Sequence, residues 1–260
     1  MKECIQAPLL TTVNFGNDTP AGIGDPVSAW RDYSGNNRHA LQSAGGPGGS
    51  QPVLQSTING SGSLQFDGTN DFLEGTSLPL TGTDTSYTIL AVFRTNTIAS
   101  GRGMMYIQVP PAPNTIGHAN HVFYRDAARL ASDEYTPSFD DLLLPGLTTT
   151  KNYLGSVARD SSAVDLKWYD GTGSASAQDL TPETYTGGTP TLYQVGTYSQ
   201  ISGQWLNGYL AELIIYDSKL SGADLQNVND YLVQKYFVPE PNSAGLLLVG
   251  AIGLLRRRSK

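Results

Sequence analysis

The sequence of 260 residues contains a single cysteine, Cys4, and only three histidines. One cysteine excludes an intrachain disulfide and a zinc cluster built from cysteines. Charged residues are also scarce, at 15% of the chain, where roughly 25% is usual for a soluble domain. Apolar residues make up 39% of the chain, so we expect a folded domain that is stabilised by packing alone.

Positive charge is depleted in the body of the chain. Four of the 16 basic residues lie among the last five positions, which leaves 12 basic residues against 23 acidic residues in the rest. A body of this acidity repels phosphate backbones, and nucleic-acid binding needs clustered positive charge. We therefore exclude nucleic acid as a partner.

The N-terminal residues 1–8 lack the apolar stretch of about seven or more residues that a secretory signal requires. Taken alone, this beginning is compatible with cytoplasmic residence, with a misplaced start codon or with a trimmed sequence. The C-terminal tail, described below, favours the last two.

Helical periodicity is almost absent, whereas alternating apolar patterns bounded by Gly, Asn, Asp and Pro recur along the chain. The predicted strands are 10–15, 27–33, 63–67, 71–74, 87–94, 104–109, 121–125, 153–159, 164–169, 192–195 and 205–216. The turns Asp67-Gly68-Thr69-Asn70 and Asp170-Gly171-Thr172-Gly173 predict β-hairpins. Parallel β/α units would need helices between the strands, so the pattern indicates an all-β fold.

One helix is predicted, over residues 221–236. Ser221 and Asp224 have the spacing of a capping box, and Leu220 and Leu225 that of a hydrophobic staple. The apolar positions Leu225, Val228, Leu232 and Tyr236 form one stripe, which we expect to be buried against a sheet.

Three segments carry a resemblance to a known family: Val27-Ser-Ala-Trp-Arg-Asp-Tyr-Ser-Gly-Asn-Asn-Arg-His-Ala40, Leu64-Gln-Phe-Asp-Gly-Thr-Asn-Asp-Phe-Leu73 and Asn207-Gly-Tyr-Leu-Ala-Glu-Leu-Ile-Ile-Tyr-Asp217. In these segments the chain resembles bacterial concanavalin A-like, laminin-G-like domains. The resemblance implies a jelly-roll sandwich of two antiparallel sheets over residues 1–236, with the C-terminal helix on the sandwich. The family includes carbohydrate binders, adhesive modules and glycoside hydrolases, so the function stays open.

The carboxylates do not have the pattern of a glycosidase. Such enzymes need two carboxyl groups about 5 to 9.5 Å apart, and the family's enzymes carry glutamates on one strand. Here the six glutamates are never closer than 28 positions in sequence, so we predict no enzyme activity, although a pair of aspartates assembled by the fold stays possible. Glu212 lies within an apolar strand, where it is either a buried acid or, as we favour, a structural hydrogen-bond acceptor that ties the strand to a loop.

Metal sites have two weak candidates. His118 and His121 follow a proline-rich segment, which predicts a loop rather than a metal-binding helix. Laminin-G-like domains often bind calcium, and oxygen ligands are available at Asp67, Asn70 and Asp71, with Asp140 and Asp141 in a second turn. Ordinary turn formation is the alternative for these residues, and the one that we favour.

Aromatic residues are candidates for stacking on sugar rings, because the chain has 14 Tyr, 7 Phe and 3 Trp. Trp168 lies two and four positions after Leu166 and Val164, so in a strand its side chain is on the same face as theirs and is expected in the core. The weak candidates for ligand binding are Tyr153, Tyr169 and Trp205.

The tail, residues 237–260, combines a short motif, an apolar run and a basic cluster. The motif is Pro239-Glu240-Pro241, the run of twelve residues from Ala244 to Leu255 includes Leu246, Leu247, Leu248, Val249, Ile252 and Leu254, and the basic residues are Arg256, Arg257 and Arg258. As a helix the run would measure about 18 Å, too short for a comfortable span of a bilayer core of about 30 Å. Arginines after an apolar run are typical of a segment that stops translocation.

The tail closely resembles the PEP-CTERM sorting signal. That resemblance implies export in a Gram-negative bacterium and recognition by an exosortase, a membrane protein that processes the tail. It also implies that a signal peptide is missing from the start of this sequence. We therefore expect an exported, envelope-associated or extracellular binding or matrix module, membrane-associated before processing, with a polysaccharide or other glycan as its partner. The alternatives are a glycan-processing enzyme and a purely structural biofilm or coat protein.

Overall fold

The structure is a computed structural model that describes residues 10–12, 19–42, 50–76, 78, 80, 86–98, 102–108, 118–124, 129–136, 138–182, 192–197 and 204–238. For residues 10–12, 19, 106, 108, 118–124, 133–136 and 138–141 only the backbone is described. The tail from Pro239 onwards lies outside the described residues. Within them, the helix that is found is neither long nor apolar enough to cross a bilayer.

The described residues form eighteen strands and one helix, nearly all of the strands being short. In chain order they are β1 (Leu10–Thr12), β2 (Thr19–Pro20), β3 (Ala29–Trp30), β4 (Ala40–Leu41), β5 (Val53–Ile58), β6 (Ser61–Asp67), β7 (Leu73–Gly75), β8 (Tyr87–Thr95), β9 (Arg102–Gly103), β10 (Met105–Gln108), β11 (His118–Tyr124), β12 (Arg129–Thr136), β13 (Ser138–Pro145), β14 (Tyr153–Asp160), β15 (Ala163–Tyr169), β16 (Ser174–Asp179), β17 (Leu192–Val195), β18 (Asn207–Tyr216) and α1 (Gly222–Tyr236).

The strands form two antiparallel sheets, which confirms the predicted β-sandwich. The larger sheet has the order β13-β12-β11-β10-β17-β7-β4-β3-β1-β2, with β9 paired to β11. The smaller sheet has the order β16-β15-β14-β8-β18-β6-β5. The main core lies between the sheets and includes Trp30, Phe66, Phe93, Tyr153 and Tyr193.

A second apolar cluster lies on the outer side of the smaller sheet, under α1. Alternation in β8 divides its residues, because Ile89, Ala91 and Phe93 face the main core while Leu90 and Val92 belong to the second cluster. Leu232 of α1 is buried there, as the sequence predicts. Leu225 and Val228 are only partly buried against the same cluster, so the apolar stripe is covered less completely than expected.

The start of α1 corrects one expectation. Ser221 is the N-cap residue and has extended backbone, but its side chain makes no capping hydrogen bond. Instead, the chain before the helix is held by Thr88 of β8, whose hydroxyl accepts a hydrogen bond from the backbone N–H of Leu220 at 2.8 Å and donates one to the Ser218 carbonyl at 2.9 Å. A tertiary contact therefore replaces the local capping box.

Of the two predicted β-hairpins, the structure confirms one and contradicts the other. Asp170 lies in a true hairpin between β15 and β16, where its carboxylate accepts hydrogen bonds from the backbone of Thr172 and Gly173. The Asp67 turn is not a hairpin, because β6 belongs to the smaller sheet and β7 to the larger one. The turn carries the chain across the sandwich instead.

Several strands are absent from the sequence prediction, or differ from it. The missed ones are β2, β4, β5, β9, β12, β13 and β16. His118 and His121 both lie in β11 rather than in a loop, with a register shift between them. The predicted strand over residues 27–33 shortens to Ala29–Trp30, because the chain turns sharply at Asp32.

Candidate functional site

The outer faces of the two sheets differ in what covers them. On the smaller sheet, α1 closes the outer face with Leu220, Leu232 and Tyr236. On the larger sheet, the described residues put no helix on the outer face. This second face is the candidate functional site.

A cross-strand row of three residues lies on this face, which we call the open face. Leu41 of β4 is paired with Glu74 of β7, which is paired with Gln194 of β17. Their neighbours in sequence, such as Ala40, Leu73 and Val195, belong to the main core, so alternation directs the row outwards. Gln194 donates a hydrogen bond from Nε2 to Oε2 of Glu74 at 2.8 Å. Leu41 is exposed and Glu74 partly exposed, whereas Gln194 is buried.

At one end of this row lies the connection between β3 and β4, residues 32–39, which we call the Asp32 loop. Its backbone is held by the buried Asp32, and Tyr33 at its surface is 44% exposed. Sequence reasoning missed Tyr33 as a site residue, since it was grouped with a strand. The signal that could have found it is the run Ser34-Gly35-Asn36-Asn37, which is typical of a turn.

The calcium candidates at the Asp67 turn are used by the turn itself. One Asp67 oxygen accepts the backbone N–H groups of Thr69 at 2.7 Å and Asn70 at 3.3 Å, and Asp71 accepts that of Asp67 at 2.8 Å. These hydrogen bonds are those of ordinary turn formation, the alternative that the sequence favoured, whereas calcium binding, which needs six to eight oxygen ligands, stays a prediction. Among the residues that the structure describes, no three His, Cys, Asp or Glu side chains are arranged to hold a metal ion.

Asp71 is nevertheless an unusual carboxyl group. Asp71 is only 4% exposed, and burial raises the pKa of its carboxyl group to about 7. The hydrogen bond from the Asp67 backbone opposes this increase, and the negative charge of Asp67 adds to it. Close to this turn, Arg102 donates hydrogen bonds to the carbonyls of Gly68 and Trp205 at 3.1 and 2.9 Å. The end of the sandwich is thus fixed by an arginine and a carboxyl that titrates near neutrality.

The three aromatic candidates from the sequence do not form a binding platform. Tyr153 is fully buried in the core beside Phe93 and Trp168, and Trp205 is buried against Phe72. Tyr169 is partly buried and its ring lies against Phe237 after α1, on the opposite side from the open face. Burial therefore removes the exposed ring face that stacking requires.

Glu212 is the structural acceptor that the sequence favoured, but its partner is the helix rather than a loop. It is fully buried and accepts hydrogen bonds from Lys235 at 2.8 Å and Tyr231 at 3.2 Å. Burial lowers the pKa of Lys235, but the bonds to Glu212 and Tyr231 outweigh it, so that the pKa rises overall. Burial and the Glu212 carboxylate also raise the pKa of Tyr236.

A β-bulge explains why Glu212 reaches the helix. Leu210 is paired with Phe93, whereas Glu212 is paired with Val92, so Ala211 is an extra residue in β18. If β18 alternated regularly through Ala211, Glu212 would share the face of Leu210, which belongs to the main core. The bulge therefore turns a charged side chain out of the main core and towards Lys235.

The remaining predicted site residues lie outside what the structure describes. The side chains of His118, His121, Asp140 and Asp141 are among them, although their strands are described. The motif Pro239-Glu240-Pro241, the apolar run and the basic cluster of the tail are also outside the described residues.

Comparison of the sequence with protein-family profiles and with curated proteins finds no match. Among solved structures, the chain is similar to a GH54 α-L-arabinofuranosidase soaked with a cyclic sulfate inhibitor, with a TM-score of 0.61 and 10% identity over 92% of this chain and 58% of that one. It is similar to the binding domain of Paraclostridial Mosquitocidal Protein 1, with a TM-score of 0.55 and 13% identity over 80% of this chain and 51% of that one.

A third similar structure is domain 4 of an extracellular GH43 arabinanase from Geobacillus stearothermophilus in complex with arabinotriose. It has a TM-score of 0.50 and 12% identity, over 69% of this chain and 81% of that domain. The chain spans little more than half of the first two proteins. At these identities the likeness establishes a shared β-sandwich fold.

Proposed function

We propose that this protein is an exported, non-catalytic glycan-binding module, and that it binds its glycan on the open face of the larger sheet. The observation that carries the proposal is the difference between the two outer faces. One is closed by α1, and the other carries the exposed Leu41 beside the partly exposed Glu74, whose carboxylate is held by the buried Gln194. An apolar surface with a few fixed polar groups is the usual composition of a sugar site.

The solved structures add support of a general kind. Domain 4 of the arabinanase is described in complex with arabinotriose, and the arabinofuranosidase with an inhibitor. Both share the β-sandwich fold with this chain, and one is an arabinofuranosidase while the other binds arabinotriose. Neutral polysaccharides of this kind are therefore the first ligands to test.

The test is binding of the purified full-length protein to debranched arabinan, xylan and polygalacturonate in affinity electrophoresis, with and without calcium. Glu74→Gln should weaken binding several-fold, because it removes the partly exposed carboxylate of the open face. The matched control is Asp230→Asn on α1, because Asp230 also accepts a hydrogen bond from a glutamine, Gln226, at 2.7 Å. Equal effects of the two substitutions, or none from Glu74→Gln, would exclude the open face.

A glycoside hydrolase is the second candidate, and Asp71 is the observation that favours it. A buried carboxyl whose pKa is about 7 is suited to donate a proton, and Asp67 lies beside it. Release of reducing sugar from arabinan that is lost in Asp71→Asn and in Asp67→Asn would establish an enzyme. No release from any of the three polymers is expected of a binding module.

A structural coat or biofilm protein is the third candidate. It predicts that the protein binds none of the three polysaccharides and that the purified protein self-associates. Binding to one polymer that saturates and depends on Glu74 would contradict it.

We further propose that the tail directs export and processing. The support is the sequence pattern alone: Pro239-Glu240-Pro241, an apolar run of twelve residues and three arginines. An exosortase-type enzyme would recognise the motif, and the apolar run is too short for a stable span while the arginines cross a bilayer only at high cost.

Mass spectrometry of protein from its host should find no peptide that contains Arg256–Arg258. Glu240→Ala should leave the full-length chain in the inner membrane. Recovery of an intact C-terminus from the wild-type surface fraction would contradict processing and favour a short permanent anchor.

A further inference from the structure

The Asp32 loop is held by an unusually complete set of hydrogen bonds from its own first residue. Asp32 Oδ1 accepts the backbone N–H of Ser34 at 2.7 Å, and Oδ2 accepts that of Arg38 at 2.9 Å. The backbone N–H of Asp32 in turn donates to Nδ1 of His39 at 3.0 Å. One buried carboxylate therefore fixes both ends of a loop of eight residues.

A second set of contacts fixes the loop to the sandwich. Tyr193 of β17 has its ring in the main core, directly above Gly75, and its hydroxyl donates to the Arg38 carbonyl at 2.8 Å. A Cβ at Gly75 would lie 2.2 Å from that ring, so only glycine fits beneath it. The loop is thus anchored to the strand that also carries Gln194 of the open face.

The backbone at the tip is in a conformation that few residues adopt. Gly35 has a φ of 83° and Asn37 a φ of 55°, both in the left-handed region. The Ser34 hydroxyl accepts hydrogen bonds from the backbone N–H of Asn36 at 3.3 Å and from its Nδ2 at 2.8 Å. These contacts orient the amide of Asn36 before any ligand arrives.

This anchored loop holds an aromatic ring and amides at the surface. Tyr33 is 44% exposed, and Asn36 and Asn37 are exposed three and four positions further along the same loop. Aromatic rings stack on the apolar faces of sugars, and amides exchange hydrogen bonds with hydroxyl groups. The acid of the loop is not available to a ligand, because both Asp32 oxygens accept backbone N–H groups.

We propose that the Asp32 loop is the recognition element for an uncharged sugar, with Tyr33 stacked on one ring and the amides of Asn36 and Asn37 bonded to its hydroxyls. This inference rests on the proposed glycan-binding function and names its ligand class. Because the loop is already ordered, little conformational entropy is lost on binding. The role of Asp32 is positioning, through the loop, rather than contact with the sugar.

The experiment is isothermal titration of the full-length protein with arabinotriose, xylotriose and trigalacturonate. Tyr33→Ala should weaken binding of the neutral trisaccharide about tenfold, which corresponds to about 1.4 kcal/mol. Tyr33→Phe keeps the ring and should bind within about threefold of the wild type. Tyr231→Ala is the matched control, because Tyr231 is also an exposed tyrosine but lies on α1, and it should leave the dissociation constant unchanged.

Asp32→Asn separates positioning from contact. It leaves Tyr33 in the chain but replaces one acceptor oxygen with an amide N–H₂, so it should weaken binding while raising the rate of backbone hydrogen exchange at Ser34 and Arg38. A folded Asp32→Asn variant with faster exchange and unchanged binding would overturn the positioning role. If Asp32→Asn fails to fold, the Tyr33 pair still decides the stacking role.

The two proposals fail in different ways. If the wild type binds a neutral glycan and Tyr33→Ala binds it equally well, the loop is excluded while the binding function stands. If trigalacturonate binds and the neutral sugars do not, the ligand class is wrong. If no sugar binds to the wild type, both the function and the loop assignment are refuted.

Discussion

Glu74 and Glu212 occupy comparable positions on the two sheets and have different surroundings. Each lies in a strand, with its side chain on the outer face of its sheet, and each accepts a hydrogen bond from a neighbouring side chain. Glu212 lies under α1, is fully buried and is paired with Lys235, whereas Glu74 is partly exposed and bonded to the uncharged Gln194. The covering helix makes Glu212 part of the fold, whereas Glu74, over which the described residues place no helix, stays partly exposed.

The largest difference between the faces should appear when an apolar residue is shortened. Leu232→Ala should lower the free energy of unfolding by about 2 to 5 kcal/mol, because it leaves a cavity between α1 and the smaller sheet. Leu41→Ala on the open face should change it by less than about 0.5 kcal/mol. Urea denaturation measures both, and equal costs would mean that the open face is also a packed interface.

A smaller effect is expected from breaking the ion pair under the helix. Lys235→Met should cost about 2 to 4 kcal/mol, because Glu212 stays buried with uncharged tyrosine hydroxyls as donors and no cation to balance its charge. Lys235→Arg keeps the charge and is the control. If Lys235→Met were as stable as the wild type, Glu212 would have to be protonated or reached by water, and the contrast with Glu74 would weaken.

Asp71 provides a pH-dependent test at the crossover between the sheets. Its pKa rises from 3.8 to about 7 on folding, so its contribution to stability is fully present below about pH 4 and is lost as the pH rises through 7. Asp71→Asn removes this loss, so the variant should gain on the order of 2 kcal/mol relative to the wild type between pH 5 and pH 8.

Thermal unfolding across that pH range measures the difference, with Asp230→Asn as the control at an exposed position. If the difference in melting temperature between Asp71→Asn and the wild type is the same at every pH from 5 to 8, burial does not shift the pKa of Asp71.

The smallest effect on stability is expected at Glu74 itself. Glu74→Gln keeps the shape of the side chain and should change the free energy of unfolding by about 0.5 kcal/mol or less, while it weakens glycan binding. A large loss of stability would show that Glu74 is as structural as Glu212, and would remove the reason to assign it to a binding face.

The fold was largely predictable where strands are apolar and alternate. The strands β8, β14, β15, β17 and β18 were predicted nearly to their ends, because the main core imposes apolar residues on all of them and the α1 cluster adds more on β8, β14 and β18. The paired strands β12 and β13 were missed because acidic residues interrupt them: Asp133 is paired with Asp141, and Glu134 with Asp140. The edge strand β16 was missed because Ser174–Asp179 contains no large apolar residue.

The candidate site was less predictable, since it depends on contacts between distant residues. The motif around Asp32 was visible in the sequence, but the hydroxyl that anchors its loop belongs to Tyr193, 155 positions away from Arg38. The Asp67 turn has the composition of a hairpin, and only the assignment of β6 and β7 to different sheets reveals the crossover. The burial of Tyr153 and Trp205 likewise follows from packing between sheets, which no local pattern records.

The end of α1 also fixes the side of the sandwich on which the chain continues towards its C-terminus. The helix is closed by hydrogen bonds from the backbone of Phe237 and Val238 to the Val233 carbonyl, and the chain leaves at the exposed Val238 on the side of the smaller sheet. Glu74 and Gln194 belong to the sheet on the far side of the sandwich. The exit of the chain from α1 and the open face therefore lie on opposite sides of the sandwich, so a partner bound at Val238 would not cover Leu41 and Glu74.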